Sequence, residues 1–299
     1  MSTVTAPGRD TGAAPSVRDA PPRTRRARGE RLRRTAIYAA LSLGLGLVVT
    51  PFAWTLLSSF KPEHEIRQSP PTFLPAHPTL AGYREMLASL HLGTTFTNSV
   101  LVAAAQVSAN LLLCSMAGYA LAKLPFPGRR AVFGLVMAQM MVPGIVLVIP
   151  QFVVVTRLGL TDTLLGVVLP YLVWPLGVFL MRQFIAEIPD ELLQAARIDG
   201  AGEFRIFFRI VLPLCRPALA TLTLLSFLNA WNNFLWPAIV AQTQDRYTLP
   251  VALALFSNEE TTHYGLLLAG AVVVITPIVV LFLCLQRFFI EGIASTGIK

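Results

Sequence analysis

Charged residues make up only 13% of the 299-residue sequence, against about 25% in soluble domains. That leaves too little polar surface to solvate a globule of this size, which excludes a water-soluble fold. The deficit is concentrated. Six stretches, 36–60, 92–122, 131–156, 163–181, 217–244 and 264–286, contain no Asp, Glu, Lys, Arg or His. Each has the roughly 17–25 residues that a helix needs to cross about 30 Å of hydrocarbon. The fold class read from this pattern is all-α, a polytopic bundle of six transmembrane helices.

Other absences exclude chemistry. Three cysteines (Cys114, Cys215, Cys284) lie in or beside apolar segments and read as small buried hydrophobes, neither a disulfide framework nor a metal site. Four histidines (His64, His77, His91, His263) share no ligand spacing. No glycine-rich phosphate loop and no Ser/His/Asp arrangement stands out. The expectation is a chain that is not an enzyme, binds no cofactor and holds no metal. Ion-coupled carriers usually place ionisable residues inside the membrane, where each costs about 2.5–3.5 kcal/mol on insertion scales and so marks function. With none in the six stretches, an ion-coupled secondary transporter of a small polar solute is the alternative reading, left open because sodium sites can be built from backbone carbonyls.

Positive charge is plentiful but one-sided. Nine arginines precede the first stretch, and 19 of the 24 Lys and Arg residues fall on the side that includes both chain ends. The positive-inside bias places both termini in the cytoplasm. The net charge of +8 is then a topological signal, and nucleic acid is not an expected partner. Residues 1–34, rich in Pro, Ala, Gly, Thr and Arg without apolar periodicity, read as a disordered basic tail able to rest on anionic lipid; residues 35–299 form the membrane domain. A cleaved signal peptide is not expected, because the following apolar run exceeds the 7–15 residues of an h-region. Pro51, Pro143, Pro150, Pro170 and Pro175 fall inside the apolar stretches and predict bent helices.

The most structured polar segment, 186–217, lies between the fourth and fifth stretches. Pro189 suits a first helical turn, and Asp190 and Glu191 put negative charge at the positive end of the helix dipole. Leu192, Ala195, Ala196 and Asp199 recur at helical spacing and share a thin face. Gly200 ends the helix as a left-handed residue does. A second helix follows, with Phe204, Phe207, Phe208 and Val211 as its apolar stripe and Arg205 with Arg209 on another face. Headgroup binding explains the aromatic stripe and the arginines, but it calls for neither a small-residue face nor a glycine turn between two short helices.

This segment resembles the coupling loop of ABC importer permeases, whose pattern reads Glu-Ala-Ala, two residues, Asp-Gly-Ala, eight residues, Ile-x-Leu-Pro. Here Ala195-Ala196, Asp199-Gly200-Ala201 and Ile210-Val211-Leu212-Pro213 keep that spacing, with Gln194 in place of Glu. Ser58-Ser59-Phe60-Lys61-Pro62, Gly118-Tyr119-Ala120-Leu121-Ala122, Ala230-Trp231-Asn232-Asn233-Phe234-Leu235-Trp236-Pro237 and Gly292-Ile293-Ala294 are similar to the smaller permease of maltose-type carbohydrate importers. The resemblance implies a bacterial cytoplasmic membrane protein that translocates a sugar or oligosaccharide. It implies, as partners, a second homologous permease, two cytoplasmic ABC ATPase subunits that hydrolyse the ATP, and an extracytoplasmic solute-binding protein. It also implies that the C-terminal residues reach the ATPase interface.

Uncharged polar residues in the stretches give two views. Ser226, Asn229, Asn233 and Trp236 share a helical stripe, as do Ser99, Gln106 and Asn110; Gln139, Tyr171 and Trp174 add to them. They either bond helix to helix, at about 0.6 kcal/mol each on average in membranes, or line a neutral path for a sugar. The path candidates are Gln106, Asn110, Gln139, Ser226, Asn229, Asn233 and Trp236. One expectation concerns the departure at position 194. Gln194→Glu restores the common pattern, so uptake in whole cells should be unchanged or slightly raised; a severe loss would mean that the site is tuned to a neutral contact.

Overall fold

The computed structural model describes residues 23–89, 91–256 and 263–296, excepting the side chains of residues 23–30, 32 and 289–296. The chain divides into two units, Met1–Ala53 and Trp54–Lys299. The described part of the first is the start of helix α1 (Arg23–Ser58). That helix begins inside the stretch expected to be disordered. Arg, Ala, Glu and Leu between residues 23 and 34 are good helix formers and extend the helix backwards from the apolar run; residues 1–22 lie outside the described residues.

In the second unit, α2 (Glu63–Ile66) and α3 (Ala81–Ser89) lie in the long loop after α1, and α4 (Leu92–Ala109) continues through a π-helical turn, Asn110–Cys114, into α5 (Ser115–Lys123). Then come α6 (Arg129–Met141), α7 (Gly144–Arg157), α8 (Leu164–Val168) with a 3₁₀ turn Leu169–Tyr171, and α9 (Pro175–Ala186). The polar segment supplies α10 (Asp190–Ile198), α11 (Glu203–Ile206), a second π-helical turn Phe207–Val211, and α12 (Leu212–Leu214). The chain ends with α13 (Arg216–Trp231), α14 (Leu235–Val240), α15 (Leu249–Phe256) and α16 (Tyr264–Thr296). The described residues contain no strand.

Among the described residues three helices are long and apolar enough to cross a membrane: Arg33–Ser58, Leu92–Lys123 and Tyr264–Phe288. Two further expected spans are bent: the α6–α7 pair turns by 107° and α8–α9 by 43°. The fifth, Arg216–Val240, follows an 82° turn from Glu203–Leu214 and is interrupted between Trp231 and Leu235. Counting each bent pair as one span gives six. The third expected span is therefore not one continuous helix. At 1.5 Å per residue, its limbs of 13 and 14 residues are each about 20 Å long, short of the ~30 Å core.

The bends have identifiable causes. Val142 and Trp174 precede prolines and are extended (ψ 122° and 123°), because the proline ring disfavours the α region for its predecessor. Cys215 leaves the helix at ψ 16° just before Arg216-Pro217. The helix break that ends α13 falls at Asn232, where two asparagines in a row offer side-chain alternatives to the helical ladder.

The largest core cluster joins α5, α9, α13 and the hairpin through Tyr119, Met181, Ile185, Leu193, Ile206, Phe207, Val211 and Leu222. Gly118 makes this contact possible. A Cβ there would stand 2.8 Å from the Arg182 amide nitrogen and 2.9 Å from Met181 Cβ. Cys114 and Cys215 are buried in the same cluster, whereas Cys284 is exposed on α16, contrary to its reading as a buried hydrophobe. The uniformly apolar α16 carries no periodic signal to tell inside from outside.

On the far side, Asp162 joins two loops. It sits at φ 56°, and its carboxylate accepts the Gln242 and Thr243 amides at 2.8 and 3.0 Å and the Thr243 hydroxyl at 3.0 Å. Its own amide donates to Val240 at 2.9 Å. The two amide donors hold its carboxyl below the usual carboxylate range. At the inner end, Gly118→Val should lower stability by at least the roughly 1–3 kcal/mol of an overpacked core site. The check is the melting temperature of detergent-purified protein, and an unchanged value would contradict the close α5–α9 contact.

Candidate functional site

The hairpin is built around Gly200, at φ 78° with open space where a side chain would be. Only glycine adopts this conformation without cost. On α10 the inward residues are Leu193, 1% exposed, and Ala196, half-buried against the main core cluster. Gln194, Ala195, Asp199 and Gly200 are exposed, with Leu192 and Ile198 beside them at 49% and 86%. The expected thin face is therefore split: Leu192, Ala195 and Asp199 face outward, while Ala196 turns in. Ala201, Ile210 and Leu212 are half-buried against the core, and Pro213 is exposed.

The aromatic stripe is also redistributed. Ile206, Phe207 and Val211 are buried, whereas Phe204 and Phe208 are 69% and 49% exposed. The π-helical turn at Phe207–Val211 adds a residue to the repeat, so a register drawn with a 3.6-residue period rotates away from the core. The exposed residues of the hairpin thus include the large apolar Leu192, Ile198, Phe204 and Phe208 as well as Gln194, Ala195 and Asp199. At its edge, the hydrogen bond and charge of Lys123 hold the Asp190 carboxyl below the ordinary carboxylate range, so it is ionised at neutral pH.

A second feature lies deeper. A cavity of about 840 Å³ is lined by Gln139, Gln151, Tyr171, Trp174, Asn229, Asn232 and Asn233 among apolar neighbours, with no charged side chain. Three helix breaks meet at it: Val142–Gly144, Tyr171–Pro175 and Asn232–Leu235 all contribute to its wall. Broken helices free backbone polar groups, and inside a membrane protein this is tolerated where they are buried in protein or line a polar cavity.

Of the seven path candidates, Gln139, Asn229 and Asn233 reach this wall. The other four are used within the bundle. Gln106 donates to the Val167 carbonyl at 3.3 Å, and Trp236 Nε1 donates to the Gly166 carbonyl at 3.2 Å. The buried Ser226 hydroxyl has no hydrogen-bond partner among the described residues. The shared stripe drawn through Ser226 and Trp236 fails because α13 breaks between them and the helical phase is lost. Asn110 has the fullest set of partners. Its Nδ2 donates to the Gln106 and Tyr171 carbonyls at 2.8 and 2.9 Å, and its Oδ1 accepts the Trp174 amide at 2.9 Å. It thus satisfies backbone groups on both sides of the α8–α9 break.

Gln151 and Asn232 also line the cavity and were not among the candidates. Gln151 follows Gly144 and Leu147 at helical spacing, but that phase holds only within α7, after the bend. Asn232 is three residues from Asn229, a pairing visible in the sequence once the helix is known to end there.

Comparison with known proteins places the whole arrangement. Residues 114–294 match the family of binding-protein-dependent transport system inner membrane components, and the chain belongs to it. It is similar to the arabinooligosaccharides transport system permease protein AraQ of Halalkalibacterium halodurans, 41% identical over 85% of this chain and 92% of that one. It is also similar to the trehalose transport system permease protein SugB of Mycobacterium tuberculosis, 34% identical over 89% and 98%. Among solved structures, a bacterial ABC transporter involved in the import of the acidic polysaccharide alginate has a chain superposing with TM-score 0.76 at 23% identity, over 88% of this chain and 98% of that one. The protein is therefore a permease of the ABC importer class. Such chains are the transmembrane components, distinct from the ATPase subunits.

Asn110→Leu keeps side-chain size and removes every polar contact. It leaves the Tyr171 carbonyl and Trp174 amide without that partner, at about 1–3 kcal/mol for each buried group left unsatisfied. The purified variant should melt at a clearly lower temperature; an equal melting temperature would mean that water replaces the side chain.

Proposed function

We propose that the chain translocates a sugar or oligosaccharide through the cavity at the three helix breaks, and that its hairpin is the contact through which an ATPase drives the movement. In this reading the chain crosses the bacterial cytoplasmic membrane six times with both ends inside. A second permease completes the path, and two ATPase subunits sit beneath, one of them on the exposed face of Gln194, Ala195, Asp199, Leu192 and Ile198. An extracytoplasmic binding protein delivers the solute to the outer loops, and the basic N-terminal residues and the apolar flanks meet lipid. The C-terminal contact with the ATPase involves residues up to Lys299, the last three of which lie outside the described residues.

The observation that carries the reading is the chemistry of the cavity wall. Amides, one phenol and one indole, with no fixed charge, suit a solute that is rich in hydroxyls and presents flat apolar faces. The sugar permeases AraQ and SugB support it. ATP acts by changing which hairpin position the ATPase dimer binds better, and only such a difference in affinity shifts a conformational population.

The test is ATP-driven uptake of a radiolabelled oligosaccharide by proteoliposomes containing the assembled complex and its binding protein. Uptake driven by an ion gradient without ATP would overturn the proposal. In the same assay Gly200→Val, which forces a β-branched residue into a left-handed turn at about 1–2 kcal/mol or more, should abolish uptake and free ATP hydrolysis from the binding protein while leaving membrane insertion intact. Gly200→Asn should keep most uptake, because asparagine tolerates that conformation. Normal uptake by Gly200→Val would contradict the coupling role.

A further inference from the structure

The segment Gly118–Ala122 resembles a family motif, yet neither the cavity nor the exposed hairpin face uses it. We infer that Tyr119 and Lys123 are positioning residues that fasten the coupling hairpin to the end of α5, so that hairpin and α5 move as one body. The inference rests on the coupling reading above and adds where the force goes.

Lys123 grips the start of the hairpin. Its Nζ donates to the Ile188 carbonyl at 2.6 Å, the Ala186 carbonyl at 3.3 Å and Asp190 Oδ1 at 2.7 Å. The ammonium has three donors and here three acceptors, and its side chain is only 7% exposed. Ala186 ends α9 and Asp190 begins α10. One cation therefore joins the negative end of one helix to the acidic start of the next.

Tyr119 lies one turn earlier on the same face of α5 and grips the other leg. Its hydroxyl donates to Glu203 Oε2, and Glu203 Oε1 accepts Arg197 Nε at 2.7 Å. Arg197 lies in the last turn of α10 and Glu203 in the first turn of α11. Their ion pair closes the Gly200 turn, and Tyr119 ties the closed turn to α5. The Tyr119 and Phe207 rings are 5.6 Å apart. A hairpin that swung on the α9–α13 connection would have to break both polar grips and pull Leu193, Ile206 and Phe207, each at most 2% exposed, out of their cluster.

The experiment measures solute taken up per ATP hydrolysed by the reconstituted complex. Lys123→Met should lower that ratio by about tenfold, the scale of one lost hydrogen bond to a charged group, while Lys123→Arg keeps most of it. A double substitution, Lys123→Cys with Asp190→Cys in a Cys284→Ser background, should be uncoupled until a short bis-thiol crosslinker bridges the pair, and bridging should restore the ratio. A ratio that bridging lowers or leaves unchanged would overturn the inference, as would an unchanged ratio in Lys123→Met. Should Lys123→Met fail to assemble, the bridged pair alone decides. The two failures separate: normal coupling in Gly200→Val strikes the hairpin's role itself, whereas failed rescue by bridging strikes only its attachment to α5.

Discussion

A helix that stops inside an apolar bundle strands amide and carbonyl groups where no bulk water can reach them, and each costs free energy if left unpaired. This constraint organises the protein. Its polar cavity lies where three helix breaks meet, and two of the breaks have identifiable side-chain partners, as does α8. Asn110 takes the Tyr171 carbonyl and the Trp174 amide. Thr163 accepts the Gly166 amide at the start of α8, and Trp236 donates to the Gly166 carbonyl nearby. Asn233 accepts the Trp236 amide at the start of α14. The polar groups free to meet a solute are those left over once these obligations are met.

The sequence was legible wherever a feature followed from local rules. Charge-free runs marked the membrane segments, Pro189 and Gly200 marked the limits of α10, and the coupling pattern was complete but for Gln194. What was not legible came from breaks in periodicity. A bend is expected at Pro143, but its angle is not written in the sequence, so the stripe of Gly144, Leu147 and Gln151 beyond it has no phase relative to the limb before it. Carrying one helical phase across Asn232 grouped Trp236 with residues that face a cavity. In the hairpin, Phe204 and Phe208 are exposed while Phe207 and Val211 are buried, and nothing local in Phe207–Val211 distinguishes a π from an α turn. Which amide faces solute and which faces backbone depends on where the neighbouring helices stop, and a one-dimensional pattern does not carry that.

Side-chain chemistry is sorted by depth. The middle of the described bundle works with amides, hydroxyls and aromatic N–H groups, whose hydrogen bonds need no counter-charge. Ion pairs are confined to its ends: Lys123 with Asp190 and Arg197 with Glu203 at the hairpin, Arg67 with Glu63 and His263 with Glu85 in the outer loops. Desolvating a charge is costly unless it is fully paired, and the charged side chains that are buried, Lys61, Glu65 and Lys123, lie at these ends among several hydrogen-bond partners.

The small carboxylate clamp at Asp162 has a mechanical consequence. It knots the segment after α7 to the segment after α14, tying together the outer limbs of two bent helices. The two limbs are thereby held to one another, and the breaks at their other ends, Val142–Gly144 and Asn232–Leu235, both belong to the cavity wall. A shift of one limb would carry the other with it and reshape the cavity from two sides at once.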